Sequence, residues 1–150
     1  MIEIQSVMME DYSMDYFRFG RGEKTLVILP GISVQSVMNS ADAVSDAFQM
    51  MQEDFTIYVF DRRKELPREY SIYDMASDTA AVIRQVGISD IYLFGASQGG
   101  MIAMTMTIEN PDFVKKLALA STSSHVKDEQ YESLDEWIEL AKKETGWDFI

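Results

Sequence analysis

Asp90 to Met104 reads DIYLFGASQGGMIAM, and the chain must change direction in its middle. Asp90 to Phe94 has the length and apolar content of a buried strand, whereas Ser97 to Glu109 is apolar nearly all round, long enough for a buried helix, and stopped by Asn110-Pro111. Between them lies Gly95-Ala96-Ser97-Gln98-Gly99-Gly100. A strand that passes straight into a helix needs small residues on each side of the turn, and the residue at its apex is forced into a strained backbone conformation. Here that residue is Ser97, set in a G-x-S-x-G pattern that makes it a candidate nucleophile. The competing reading is a glycine-rich turn that binds an anion at a helix N-terminus. That chemistry goes with G-x-G-x-x-G or a P-loop near the first parallel strand, and neither is present.

Outward from this turn, apolar runs of strand length alternate with stretches of period 3.6, the pattern of a layered α/β domain. Ile2 to Met8 and Tyr12 to Phe19 are expected to form a hairpin, and Thr25 to Leu29 a buried strand stopped by Pro30-Gly31. Val34, Val37, Met38, Ala41, Val44, Phe48 and Met51 fall at helical spacing. Phe55 to Phe60 predicts the next strand, closed by the charged turn Asp61-Arg62-Arg63-Lys64. Ser71 with Asp74 predicts a capped helix whose inner stripe runs from Ile72 to Val86 and whose C-cap is Gly87. Lys116 to Ala120 predicts one more strand. Tyr131, Leu134, Trp137, Ile138 and Ala141 mark a last amphipathic helix, with Glu132, Asp135, Glu136 and Glu139 on its solvated face. The order predicts a mainly parallel, doubly wound α/β sheet with an antiparallel N-terminal hairpin. Its functional loops, Pro30 to Ser33 and Gly95 to Gly100, fall at the C-terminal strand edge.

Composition narrows the function. With 150 residues, 47% hydrophobic and 25% charged, the chain can bury a core. Its formal charge of -12 repels phosphate backbones and anionic lipid, so neither nucleic acid nor membrane is an expected partner. The absence of cysteine removes disulfides and thiol chemistry, and the acidic N-terminus lacks signal-peptide character; a cytoplasmic location is expected. With one histidine and no loop-motif carboxylates, no metal and no cofactor is expected.

A nucleophilic serine needs donors for the oxyanion it creates. The backbone N–H of Gln98, at the start of the helix, is one; the other is expected from the Pro30-Gly31-Ile32 loop, at the N–H of Ile32, although Pro30-Gly31 can also be read as a plain strand terminator. LVILPGIS, YVFDRR, the stretch from Tyr70 to Met104 and FVKKLALAST together resemble the α/β-hydrolase superfamily over nearly all of Met1 to Ser124. The resemblance implies an α/β-hydrolase-like fold lacking the last strands, with residues 1–124 as the N-terminal portion of the core and residues 125–150 as a helical segment at the start of a lid or cap. It departs from many members in having Pro30-Gly31 where they have His-Gly. The resemblance also implies a triad acid and a histidine after two further strands, which the sequence does not supply.

The one histidine, His125, follows the last predicted strand. It reads either as a surface-loop residue or as a general base oriented by Asp128 or Glu129. The Asp61 to Lys64 turn reads as solvated in preference to a carboxylate-binding site, and Met101, Met104 and Met106 as core filler in preference to an acyl pocket. The expected activity is serine hydrolysis of an ester, amide or related small-molecule acyl substrate through a Ser97 acyl-enzyme, with the chain alone nearly inactive for want of its base. The alternatives are a non-catalytic hydrolase-like binding or interaction protein and, third, a flavodoxin-like phosphate or cofactor module. An uncovered sheet edge predicts a homo-oligomer or association with a missing C-terminal part.

Overall fold

A computed structural model describes residues 1–125 and 127–145. β1 (Ile4–Met8) and β2 (Ser13–Gly20) form the hairpin, in register from Ile4 opposite Phe17 to Met8 opposite Ser13. Then come β3 (Lys24–Leu29), α1 (Ala41–Ala47), β4 (Phe55–Arg63), α2 (Ile72–Gln85), β5 (Ile91–Ala96), α3 (Gln98–Glu109), β6 (Val114–Ala120) and α4 (Asp128–Thr145). The sheet runs β1-β2-β4-β3-β5-β6, antiparallel in its first three strands and parallel from β4 through β6.

Alternation along the strands divides the core in two. Val27, Leu29, Ile91 and Leu93 face α2 and α3, where they meet Ala80, Ile83, Ile102 and Met106. Leu26, Ile28, Ile57 and Val59 face the other way, toward Met38, Ala41 and the β2 residues Phe17 and Phe19. Each large apolar side chain removed from water contributes roughly 1.5–3 kcal/mol, so both layers hold the sheet. α2 begins at the expected capping box, with Ser71 and Asp74 satisfying each other's backbone N–H, and ends before Gly87 at φ 83°.

Two segments differ from the sequence pattern. The apolar stripe from Val34 to Met51 does not make one helix: it breaks into a 3₁₀ turn at Val37–Ser40, the short α1, and a second 3₁₀ turn at Gln49–Met51. Serine, asparagine, aspartate and valine are poor interior helix formers, and the Ser36 hydroxyl caps the first turn by accepting from the Met38 N–H. Val34 is therefore left fully exposed outside any helix. The second difference is at Asp61 to Arg63, which continue β4 instead of turning. They do so through a β-bulge, since Met14 and Tyr16 of β2 pair with Arg63 and Phe60.

In α4, Tyr131, Trp137 and Ile138 lie largely open to solvent, while the Glu129, Leu134 and Ala141 side chains lie outside the described residues. Among the described residues no helix is long and apolar enough to cross a membrane.

Candidate active site

The chain runs from β3 to β4 on one side and then crosses to β5 on the other, so the connections diverge beyond the C-terminal ends of β3 and β5. The loop after β3 and the turn after β5 face each other there. At that turn Ser97 has φ 51° and ψ −121°, a conformation strained for any residue with a Cβ.

The strain is held from both sides. The Ser97 N–H donates to the Ala120 carbonyl of β6 at 3.0 Å, and the Ser97 carbonyl accepts from Gly100 N–H at 2.9 Å and from the Thr122 hydroxyl at 2.7 Å. The hydroxyl of Ser97 makes no capping bond to its own helix, and the residue is exposed. Replacing it with glycine is expected to raise unfolding stability by about 1 kcal/mol, because glycine adopts this conformation without a Cβ clash. A urea midpoint equal to or below that of the parent would show that no strain is stored there.

Close packing explains the flanking glycine. A Cβ on Gly99 would stand 2.0 Å from the Leu29 carbonyl oxygen and 2.5 Å from that of Pro30, so only glycine lets α3 start against the end of β3. Across the gap, a Cβ on Gly31 would lie 3.2 Å from the Ser97 Cβ and 3.8 Å from its Oγ. The loop after β3 thus passes directly beside the serine. Neither predicted donor, Ile32 N–H or Gln98 N–H, has an acceptor among the described residues.

A cleft of about 1150 Å³ opens beside them, its lining including Gly31, Ile32, Arg62, Leu66, Tyr70 and Gln98. Ser97 is their neighbour and not itself part of the lining. Arg63, also in the lining, pairs with Asp78 at 3.0 Å and lies 4.2 Å from the Tyr12 ring centre and 5.6 Å from that of Tyr70. Tyr70 also donates to Asp78, and burial together with that bond pushes its phenol pKa well up.

His125 is not brought to the serine. Its ring Nδ1 lies 3.2 Å from Ser124 Oγ, its carbonyl accepts from Ser123 Oγ, and no hydrogen bond links it to Ser97 or Asp128. Among the described residues no three His, Cys, Asp or Glu side chains cluster as metal ligands.

Two contributors escaped sequence reasoning. Thr122 lies beyond a strand end with nothing in its surroundings to mark it. Arg62 was read into a solvated turn, yet it is only partly exposed and donates to Gln98 Oε1 at 3.2 Å and to the Pro30 carbonyl at 2.6 Å. Burial lowers its pKa, while Asp61 pulls the other way. A strand continuing beyond Phe60 was the available signal, but the bulge at this point breaks the alternation that would have aimed the side chain.

Residues 24–147 match the family model for the alpha/beta hydrolase fold. The chain belongs to that family. Among curated proteins it is similar to serine hydrolase BPHL of Mus musculus, 22% identical over 91% of this chain and 52% of that protein. Among solved structures it resembles E-2-(acetamidomethylene)succinate hydrolase, with a TM-score of 0.75 at 18% identity over 94% of this chain and 52% of the other. It also resembles a hydrolase from Pseudomonas aeruginosa PA01, with a TM-score of 0.73 at 20% identity over 95% and 54%. Both structural likenesses concern the fold. The chain spans about half the length of these proteins.

Proposed function

We propose that Ser97 is the nucleophile of a serine hydrolase acting on a small acyl substrate, an ester, amide or related compound, through an acyl-enzyme. The observation that carries this reading is the strained, doubly tethered Ser97, whose hydroxyl makes no capping bond, together with the Ile32 and Gln98 N–H groups, which have no acceptor among the described residues. Attack by Oγ on the substrate carbonyl would place the new oxyanion between Ile32 and Gln98. Each donor contributes about 10²- to 10³-fold in rate when aimed at the transition-state oxygen. Loss of the leaving group gives the acyl-enzyme, and attack by water releases the acid and restores the serine. The serine proton needs a base, and the reading assigns that base to sequence beyond these 150 residues, consistent with relatives about twice as long. The name of the mouse relative agrees with serine chemistry. A fluorophosphonate probe tests the reading: covalent incorporation at Ser97, located by peptide mass spectrometry, supports it. Labelling elsewhere, or none even in a longer natural chain, counts against it.

The same reading includes association along β6. That strand pairs only with β5 among the described residues, and Leu119 on it and Ile108 on α3 are exposed. Light scattering at high concentration is expected to give a mass above one chain. A monodisperse monomer would exclude association between copies.

A further inference from the structure

We infer that Arg62 is a positioning residue of the oxyanion site: one guanidinium sets the spacing between the two segments that carry its donors. The inference rests on the reading of Ile32 and Gln98 as those donors. They come from different places, Ile32 from the loop after β3 and Gln98 from the first turn of α3. Arg62 Nη2 donates to the Pro30 carbonyl at 2.6 Å, two residues before Ile32, and its Nε donates to Gln98 Oε1 at 3.2 Å.

The loop has little else to locate it. Ile32 is 76% exposed and Val34 fully so, and among the described residues the one hydrogen bond of residues 31–35 is internal, from Gln35 N–H to Ser33 Oγ. Its two ends are held by adjacent residues of β4: Arg62 grips Pro30, and Asp61 accepts from the Ser36 hydroxyl. Asp61 also accepts from the Arg62 N–H at 2.8 Å. The bulge in β4 therefore works as a clamp across the loop. A planar guanidinium fixes two acceptors at a set separation, which the single ammonium of lysine does not do. Misplacing a catalytic group by about 1 Å costs on the order of 10²-fold in rate. A residue that lines the cleft and is bonded to both donor-bearing segments, with no hydrogen bond to Ser97 itself, thus controls the geometry of the site.

The test uses the full chain and two variants, Arg62→Met and Arg62→Lys. In ¹H–¹⁵N spectra, the Ile32 and Gln98 amides are expected to move in both variants, while β1 amides such as Val7 stay in place. Adding ethylguanidinium to Arg62→Met is expected to return them toward their original positions. In a longer natural chain that supplies the base, kcat for p-nitrophenyl acetate is expected to fall about 10²-fold in Arg62→Met with KM within about twofold. The inference is overturned by unmoved Ile32 and Gln98 amides in a folded variant. It is equally overturned by shifts spread across the whole sheet with a lowered urea midpoint, the mark of a general structural role. If Arg62→Met fails to fold, Arg62→Lys decides on the same readouts. Should Ser97→Ala leave hydrolysis unchanged, the nucleophile reading fails, and the amide shifts still decide whether Arg62 spaces the two segments.

Discussion

Gly99→Ala is expected to lower the stability of the chain by about 3 kcal/mol, at the upper end of what overpacking a well-filled core costs. The new methyl would have to occupy space 2.0 Å from the Leu29 carbonyl oxygen, 2.5 Å from the Leu29 carbonyl carbon and 2.5 Å from the Pro30 oxygen. All three are backbone atoms, so no rotamer change relieves the overlap. Either α3 lifts away from β3 or the end of β3 shifts, and Leu29 and Ile102, both essentially buried, then lose packing. The shift would also move Pro30, and with it the loop that carries Ile32. Urea unfolding followed by circular dichroism measures the effect. A midpoint equal to that of the parent would mean that helix and strand are not in the close contact described.

Ser97→Ala is expected to act in the opposite way, with little change in stability and complete loss of chemistry. Alanine keeps the Cβ and hence the strain at φ 51°, and the lost hydroxyl makes no capping bond to its helix. Removing the nucleophile of a serine hydrolase lowers kcat by about 10⁶-fold. For this protein the direct readout is phosphonate incorporation. Nearby serines serve as internal controls, since Ser36 is committed to Asp61 and Ser123 to the His125 carbonyl. Undiminished incorporation in Ser97→Ala would transfer the role to another residue and remove the basis of the proposed mechanism. The pair of substitutions separates the two functions of the turn. Gly99 makes the turn possible; Ser97 is what the turn presents.

The regularities that repeat along the chain were legible without coordinates. Period 2 in the strands, the Ser71–Asp74 box and the glycine-flanked Ser97 are local, and each is set by residues within a few positions of one another. The α/β layering and the position of the site at the C-terminal strand edge follow from element order alone. The stripe from Val34 to Met51 was misleading because apolar spacing outweighed weak helix propensity on paper, whereas in the fold the segment around Ser36, Asn39 and Ser40 forms a capped 3₁₀ turn and α1 spans only Ala41–Ala47.

What sequence by itself determined is the family architecture and the identity of the candidate nucleophile, because both are written in short-range pattern. Only the tertiary structure decided how the site is held. Arg62 meets Pro30 and Gln98 across sequence separations of 32 and 36 residues, and Thr122 reaches Ser97 across 25. The structure likewise leaves His125 beside Ser124 and unconnected to Ser97. Contacts of this kind depend on which strands lie side by side and on a single bulge that redirects a side chain. No periodicity records either, since the pairing energy that selects them is summed over the whole sheet.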